Sequence, residues 1–507
     1  MSRKNFTEDW KLYEKGKEYN SQIGYKSACD KNERFYAGDQ WYGVKAGNLP
    51  TPVFNMFKRI TDYIVSYILS SPLKINYCSD NADAALLLNK YAATKWEKMK
   101  MDSMMRDLLL DAALSGDMAT HTYWDPTLNI GNGVYGDFVT EAVDGINVFF
   151  GNVNDRHVQK QPYIILAGRA MTEDLRKEAM LYGMSKKQAQ EIVSDNDCSD
   201  QMGDFSSIEL DGKSTFLIKY YKGDNGKIYF TKSTKTVVIR DNIDTGLSRY
   251  PISFANYTKR KNCYHGEALG TGLAPNQIFI NKIFAMAMKH LMDTAFPKAI
   301  YDKTKLSAWN NAVGSAVGVT GEIDGVAKYL EPAGMNGSVI TLIDKAIQYT
   351  QENMGATDIL LGQNVRPDNA SAIISLQQSS AIPLDGIKQE LYSFVEDIAL
   401  IWLDFILNKY SVERTVPIVN DSFIDFAKIT PQSIRNFEYT ATVDVGPSTY
   451  WSEINAVKTL DSLLQNGHID TVQYLKRLPS GYIPKINELI SELEAVALEQ
   501  PIEQADS

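Results

Sequence analysis

The clearest periodicity in the chain lies beyond Pro383. Leu384, Ile387, Leu391, Phe394, Ile398, Ile401 and Phe405 recur at alternating spacings of three and four residues, which is the period of one face of an α-helix. The stripe predicts a long helix over residues 371–411, with Pro383 kinking it rather than ending it. So wide an apolar face has to be covered, either by the core of the same chain or by a neighbouring subunit. Upstream, Phe57, Ile60, Ile64, Tyr67 and Ile68 predict a buried helix that Pro72 stops, and a short strand from Leu73 to Tyr77 follows. Helical patterns over Ala84–Lys100 and Met104–Leu114 come next, the second ending at Ser115-Gly116 as a left-handed cap would.

From Ala119 to about Tyr257 the pattern changes to short β-branched or alternating runs, such as Phe216–Tyr221, Ile228–Thr231 and Thr236–Ile239. One helix interrupts them, Glu173–Tyr182 with Thr172 as its N-cap, and Asp195–Gly212 reads as a polar surface loop. Two helices of similar length then flank a Gly- and Val-rich segment with strand-like pieces: about Pro275–Asp293, and Val339–Asn353 capped by Ser338. This is a helical stalk with a small β-containing tip. Gly355–Asn369 reads as a loop, strand-like runs return from Thr415 to Val445, and a mainly helical tail, Tyr450–Glu499, is broken at Gly467 and at Pro479–Pro484. The fold class is α+β.

At 507 residues the chain is too long for one compact core. Its 52 Lys and Arg against 62 Asp and Glu give a net charge of −10, the wrong sign for a protein that coats DNA by neutralising phosphates. The 28 Tyr fit extended protein contacts. Cys29, Cys78, Cys198 and Cys263 have no zinc or disulfide spacing and fit a reducing compartment. With no apolar leader and no apolar run of about 20 residues, the chain is expected to be soluble, unprocessed and without a membrane span.

Chemical motifs are few. Gly131-Asn132-Gly133-Val134-Tyr135-Gly136 has the letters of a dinucleotide fingerprint, but the strand-forming run Asp137–Val143 follows it where a helix is required, so a hairpin turn is expected. Gly212-Lys213-Ser214 imitates the end of a phosphate loop, with Ser207 where the leading glycine should stand. The five histidines show no metal-ligand spacing, and there is no nucleophile elbow. Neither catalytic nor metal-binding residues nor a cofactor are expected. Lys259-Arg260-Lys261 and the lone Arg366 are cations that can touch a polyanion without gripping it.

The order of the parts carries more than any motif. F-Y-A-G-D-Q-W at Phe35–Trp41, N-M-F-K-R-I-T-D-Y-I-V-S-Y-I-L-S-S-P from Asn55, L-S-G-D from Leu114 and H-G-E-A-L-G-T-G-L-A-P-N-Q-I-F-I-N-K from His265 together resemble the portal protein of long-tailed bacteriophages. The helix, insert, helix, loop and long helix that follow resemble that family's stem, clip, stem, tunnel loop and wing-spanning helix, so the resemblance extends over nearly the whole chain. It implies a wing over residues 1–272, stem helices at 273–293 and 338–354, a clip at 294–337 and a tunnel loop at 355–370. A long kinked helix at 371–411, a return to the wing at 412–449 and a crown with C-terminal tail at 450–507 complete the division.

The resemblance implies a non-enzymatic ring, usually of twelve subunits, at one capsid vertex of the virion, made in the cytoplasm of the bacterial host. Double-stranded DNA is packaged and ejected through its channel. The implied partners are further copies of the chain, the terminase large subunit, head-completion or adaptor proteins, and the major capsid and scaffolding proteins. Gln363, Asn364, Arg366 and Asn369 of the tunnel loop would face DNA. Between Leu273 and Gly355 seven lysines balance seven acidic residues, whereas from Tyr450 to Ser507 nine acidic residues stand against four basic ones. A neutral or acidic bore lets DNA slide because it does not neutralise phosphates. Two other classes remain: another non-enzymatic head component, which needs no stalk with a tip, and a nucleotide-binding enzyme resting on Gly131–Gly136.

Overall fold

The computed structural model describes residues 7–71, 73–131, 134–195, 197, 212–295, 298–308, 310, 317–330, 337–356, 370–410, 414–419, 424–429, 438–444, 450–478, 486, 489–490 and 493. In chain order, helices α1 (Glu8–Gln22), α2 (Tyr25–Ala37) and α3 (Met56–Ile68) lead to strand β1 (Lys74–Ser79), helices α4 (Ala82–Lys98) and α5 (Met101–Ser115), and the long hairpin β2 (Asp117–Gly131) and β3 (Val134–Val143). Then come β4 (Val148–Phe150), β5 (Tyr163–Met171), α6 (Thr172–Leu181), α7 (Lys186–Ala189), β6 (Lys213–Lys222), β7 (Ile228–Thr234), β8 (Val238–Asp244) and β9 (Ile252–Asn256). Helix α8 (Leu269–Thr294), strands β10 (Lys298–Tyr301) and β11 (Ala327–Leu330), helix α9 (Ser338–Asn353) and the 40-residue helix α10 (Ala370–Lys409) follow. Strands β12 (Arg414–Val419), β13 (Ile424–Ile429) and β14 (Tyr439–Asp444) and helices α11 (Tyr450–Gln465) and α12 (Thr471–Leu475) complete the described elements.

The result is a mixed α+β fold with small antiparallel sheets: β3-β2-β9, β4-β5-β6-β7-β8, and the pairs β1-β14, β10-β11 and β12-β13. Local chemistry sets the boundaries. The Asn55 side chain accepts from the Lys58 N–H and caps α3, and Asn81 does the same for α4 through the N–H groups of Asp83 and Ala84. Gly116 ends α5 at φ 100°, a conformation that glycine adopts freely.

The core is wrapped around α10. Leu384, Leu391, Phe394, Ile398, Ile401 and Phe405 are buried and Ile387 packs against them half-buried. Each such side chain removed from water contributes about 1.5–3 kcal/mol. Directional bonds fix the helix from several sides. The Ser253 hydroxyl on β9 donates to the Phe394 carbonyl (3.0 Å), the Tyr77 hydroxyl on β1 to that of Ala399 (2.8 Å), and the Trp402 indole to Thr140 on β3 (2.8 Å). Helix α1 covers the five-stranded sheet with Trp10 and Tyr13 against Phe149, Ile165 and Leu217, and Asp9 pairs with Lys219.

Several elements differ from the sequence expectation. Helix α8 begins at Leu269 rather than near Pro275, because the proline falls in the second turn, where its missing N–H costs one backbone bond while Leu273 and Ala274 are already packed in the core. Thr172 is the first residue of α6 and not its cap: Met171 holds that place, and the buried Thr172 hydroxyl bonds Ser214 (2.7 Å). Gly337, with no side-chain bond, precedes α9 in place of a Ser338 cap. Pro383 lies inside α10, which is continuous.

Candidate functional site

The fragments F-Y-A-G-D-Q-W, N-M-F-K-R-I, L-S-G-D and H-G-E-A-L-G…N-Q-I-F-I-N meet around the buried first half of α8. Asp117, the last residue of the third fragment, and His265, the first of the fourth, are both fully buried. The Asp117 carboxylate accepts from the Tyr25 hydroxyl (2.6 Å), the Asn256 amide (2.7 Å) and the Gly266 N–H (2.8 Å), and lies 2.5 Å from His265 Nδ1. His265 Nε2 faces the Asn20 side-chain oxygen at 2.8 Å, and the ring lies between Tyr25, stacked on it, and Tyr264, tilted against it, with centroids 3.8 and 3.9 Å away. Burial, then the Asp117 charge, push the Tyr25 hydroxyl well above its ordinary pKa, so it remains a donor. A Cβ on Gly116 would sit 2.8 Å from the Gly266 carbonyl, so the two backbones approach closely only without side chains. This knot ties α1, α2, β2 and β9 to the start of α8. It is buried and fully bonded, so it positions the helix and has no room for a substrate.

About two to four turns further along α8 a second network holds the loop over residues 38–55. Gln277 accepts from the Phe57 N–H (3.0 Å) and donates to the Phe54 carbonyl (3.0 Å), and Asn281 donates to Gln40 (2.7 Å). Gln40 in turn donates to Asn55 (3.0 Å), and the Trp41 indole donates to the Pro52 carbonyl (2.9 Å). The Phe54 ring packs on Phe284, with centroids 4.4 Å apart. The loop is therefore built onto the helix, although Tyr42, Val44, Leu49, Val53 and Phe54 in it are exposed.

Beyond Ala285 helix α8 leaves the core. It packs against α9: Ile283 and Ile343 are buried, and Gly272 lies against Met354 at the other end. The antiparallel pair β10-β11 joins the far ends of the two helices. Phe279, Met286, Met288, Leu291 and Met292 on α8, and Ile340, Leu342 and Tyr349 on α9, are exposed. A helix apolar on several sides is ordinarily a buried one.

The expected site residues are placed as follows. Gln363, Asn364, Arg366 and Asn369 lie outside the described residues, as do most of the loops around them. The seven residues of the stripe lie in the core of their own chain. In the basic run, Lys259 pairs with Glu390 on α10, while Arg260 and Lys261 are exposed. Gly131 and Val134 pair in the β2-β3 hairpin, with Asn132 and Gly133 outside the described residues. Among the described residues no group of His, Cys, Asp or Glu is placed to hold a metal ion, and no helix is long and apolar enough to cross a membrane. Sequence reasoning missed the Asp117–His265 knot and the tethered loop. Asp117, His265, Gln40, Gln277 and Asn281 lie in the fragments that carry the resemblance, but nothing in the letters links them in space.

No curated protein matches the chain. A family profile does, that of the phage P22-like portal protein, over residues 173–504. The match leaves out the first 172 residues, which hold three of the four fragments. It covers well over half of the chain, which therefore belongs to the phage P22-like portal protein family, structural proteins of the virion with a portal role in DNA packaging.

Proposed function

We propose that the chain assembles into a closed ring at one vertex of the capsid, and that double-stranded DNA passes through the ring during packaging and ejection. In this reading α8 and α9 are the stem, residues 294–337 the clip that meets the terminase and later the head-completion proteins, and residues 355–370 the tunnel loop, with Gln363, Asn364, Arg366 and Asn369 toward DNA. Residues 450–507 are the crown, and the major capsid and scaffolding proteins meet the ring from outside.

The observation that carries this reading is the apolar surface of the helix pair. Phe279, Met286, Leu342 and Tyr349 are each at least 47% exposed on the α8/α9 pair, and exposed apolar patches mark association surfaces. The charge pattern agrees. Seven lysines and seven acidic residues balance between Leu273 and Gly355, so a bore built from this segment has no net attraction for phosphate and releases DNA as readily as it admits it.

Electron imaging of the purified protein together with mass measurement tests the proposal. The expected result is a ring with a hole wide enough for a duplex. A monomer that persists at high protein concentration and low salt, with scaffolding protein present, would overturn it.

A further inference from the structure

We infer that the loop over residues 38–55 is an intersubunit clasp, and that its apolar tip packs on the α8/α9 face of the adjacent copy of the chain. The inference rests on the ring reading and adds to it the two surfaces that meet.

Helix phase separates the two surfaces. At roughly 100° per residue, Gln277, Asn281 and Phe284, which hold the loop, lie on one side of α8. Phe279 and Met286, seven residues apart and therefore in line, lie roughly opposite. On α9 the line of contact with α8 runs through Ile343 and Thr350, both buried, and Leu342 and Tyr349 fall roughly 100–120° to one side of it. In an antiparallel pair, stripes turned in the same rotational sense from the contact line share a face. Phe279, Met286, Leu342 and Tyr349 are turned in the same sense, so they form one apolar face, and the loop occupies the other.

The two surfaces also stand at the same level. Gly272 lies against Met354, so counting twelve residues forward on α8 and twelve back on α9 sets Leu342 beside Phe284. Counting five sets Tyr349 beside Gln277. Phe284 and Gln277 are the residues that anchor the loop. A knob on one flank and an apolar face on the opposite flank at equal height are what a heterologous contact needs, since rotation about an axis along the hairpin keeps height constant and closes into a ring. The loop is suited to the role. Lys45 is the only charged residue between Gln40 and Asn55, and the polar bonds at its base hold it ready, so little conformational entropy is lost on docking.

Cysteine pairing tests the contact in assembled rings of the full chain, in a background with Cys78, Cys198 and Cys263 replaced by Ser. Leu49→Cys combined with Met286→Cys is expected to give, on oxidation, a ladder of cross-linked species up to the whole ring. Either substitution alone is expected to leave monomers on a denaturing gel. Rings that form normally but do not cross-link at any pairing of Val44, Leu49 or Val53 with Phe279, Met286 or Leu342 would overturn the clasp and leave the ring reading standing. Absence of rings from the unaltered chain would overturn both. As a second readout, Val44→Asp with Leu49→Asp should lower the fraction of chains in rings at least about tenfold while the thermal midpoint of the isolated chain stays put. Undiminished assembly of that variant would also overturn the clasp.

Discussion

The two ends of helix α8 show what a chain can and cannot do for itself. Between Leu269 and Ala285 the apolar positions of the helix other than Phe279 are largely covered by α2, α3 and α5 of its own chain, and Gln277 and Asn281 are hydrogen-bonded there. From Met286 onward the helix is just as apolar, and its Met and Leu side chains face water. The first half completes a core, and the second is the half left exposed. A substitution should therefore read out differently in the two kinds of surface. Ile398→Asp, which places an unpaired charge among fully buried side chains of α10, should cost at least about 4 kcal/mol and leave the protein insoluble. Met286→Asp should change the stability of the isolated chain by no more than about 0.5 kcal/mol and show its effect in sedimentation of the assembled protein. Soluble, normally assembled Ile398→Asp rings would erase the contrast.

Asp117→Asn should have the next largest effect. The new amide turns donors toward the Tyr25 hydroxyl and His265 in place of an acceptor, and a buried group left unsatisfied costs roughly 1–3 kcal/mol. Denaturant unfolding should report a loss of about 2–4 kcal/mol. Because the knot fixes where α8 begins, limited proteolysis should also cut the junction around residues 258–268 faster. An unchanged digestion pattern at reduced stability would mean that the knot serves the core alone.

The stripe from Leu384 to Phe405 was legible because a period of three and four repeats over many turns, and every residue in it lies against the core. The two helices flanking a β-containing insert were legible for the same reason, with Pro275 alone pulling the expected start too late. Helices α1 and α2 were not anticipated. Twelve of their 28 residues are charged, and their buried positions, such as Trp10, Tyr13, Asn20 and Asn32, do not stand out as an apolar stripe. The knot was out of reach for a different reason. No spacing rule connects Asp117 to His265 across 148 residues, and a buried carboxylate cannot be told from an exposed one by its letter. Nothing in the letters of residues 38–55 marks them as a built element; their tethers to Gln277 and Asn281 do.

Titration sharpens the contrast from inside the core. On α5, burial, then the neighbouring Asp144 and Asp107, push the Asp111 carboxyl up to about 7. A folded pKa raised above the unfolded one means that the native state holds the extra proton, so stability falls as pH rises from about 4 to 7. One pKa unit corresponds to about 1.4 kcal/mol, so Asp111→Asn should stabilise the chain by more than about 1 kcal/mol at pH 8. The gain should shrink steadily toward pH 4, as followed by urea unfolding. A gain independent of pH would place its origin in packing.

The smallest effect is expected at His121, where burial lowers the ring to about 4 and Nε2 lies 2.8 Å from the Tyr220 hydroxyl, joining β2 to β6. Here the sign is opposite. A depressed folded pKa means that the unfolded state takes up the proton first, so the stability present above about pH 6.5 is lost as pH falls toward 4. His121→Gln offers Tyr220 a hydrogen-bonding side chain without the titration, and should flatten the acid limb by about 1–2 kcal/mol at pH 5. No such dependence is expected of the clasp contact, since Val44, Leu49, Phe279 and Met286 carry no titratable group. Between pH 7 and 5 the thermal midpoint of a chain carrying Asp111→Asn should therefore move through His121 while the cross-linking yield between Leu49→Cys and Met286→Cys in intact rings stays constant once measured after return to a common oxidation pH. If the yield followed the midpoint, the two surfaces would not be independent, and the outer half of α8 would have to be read as an extension of the core.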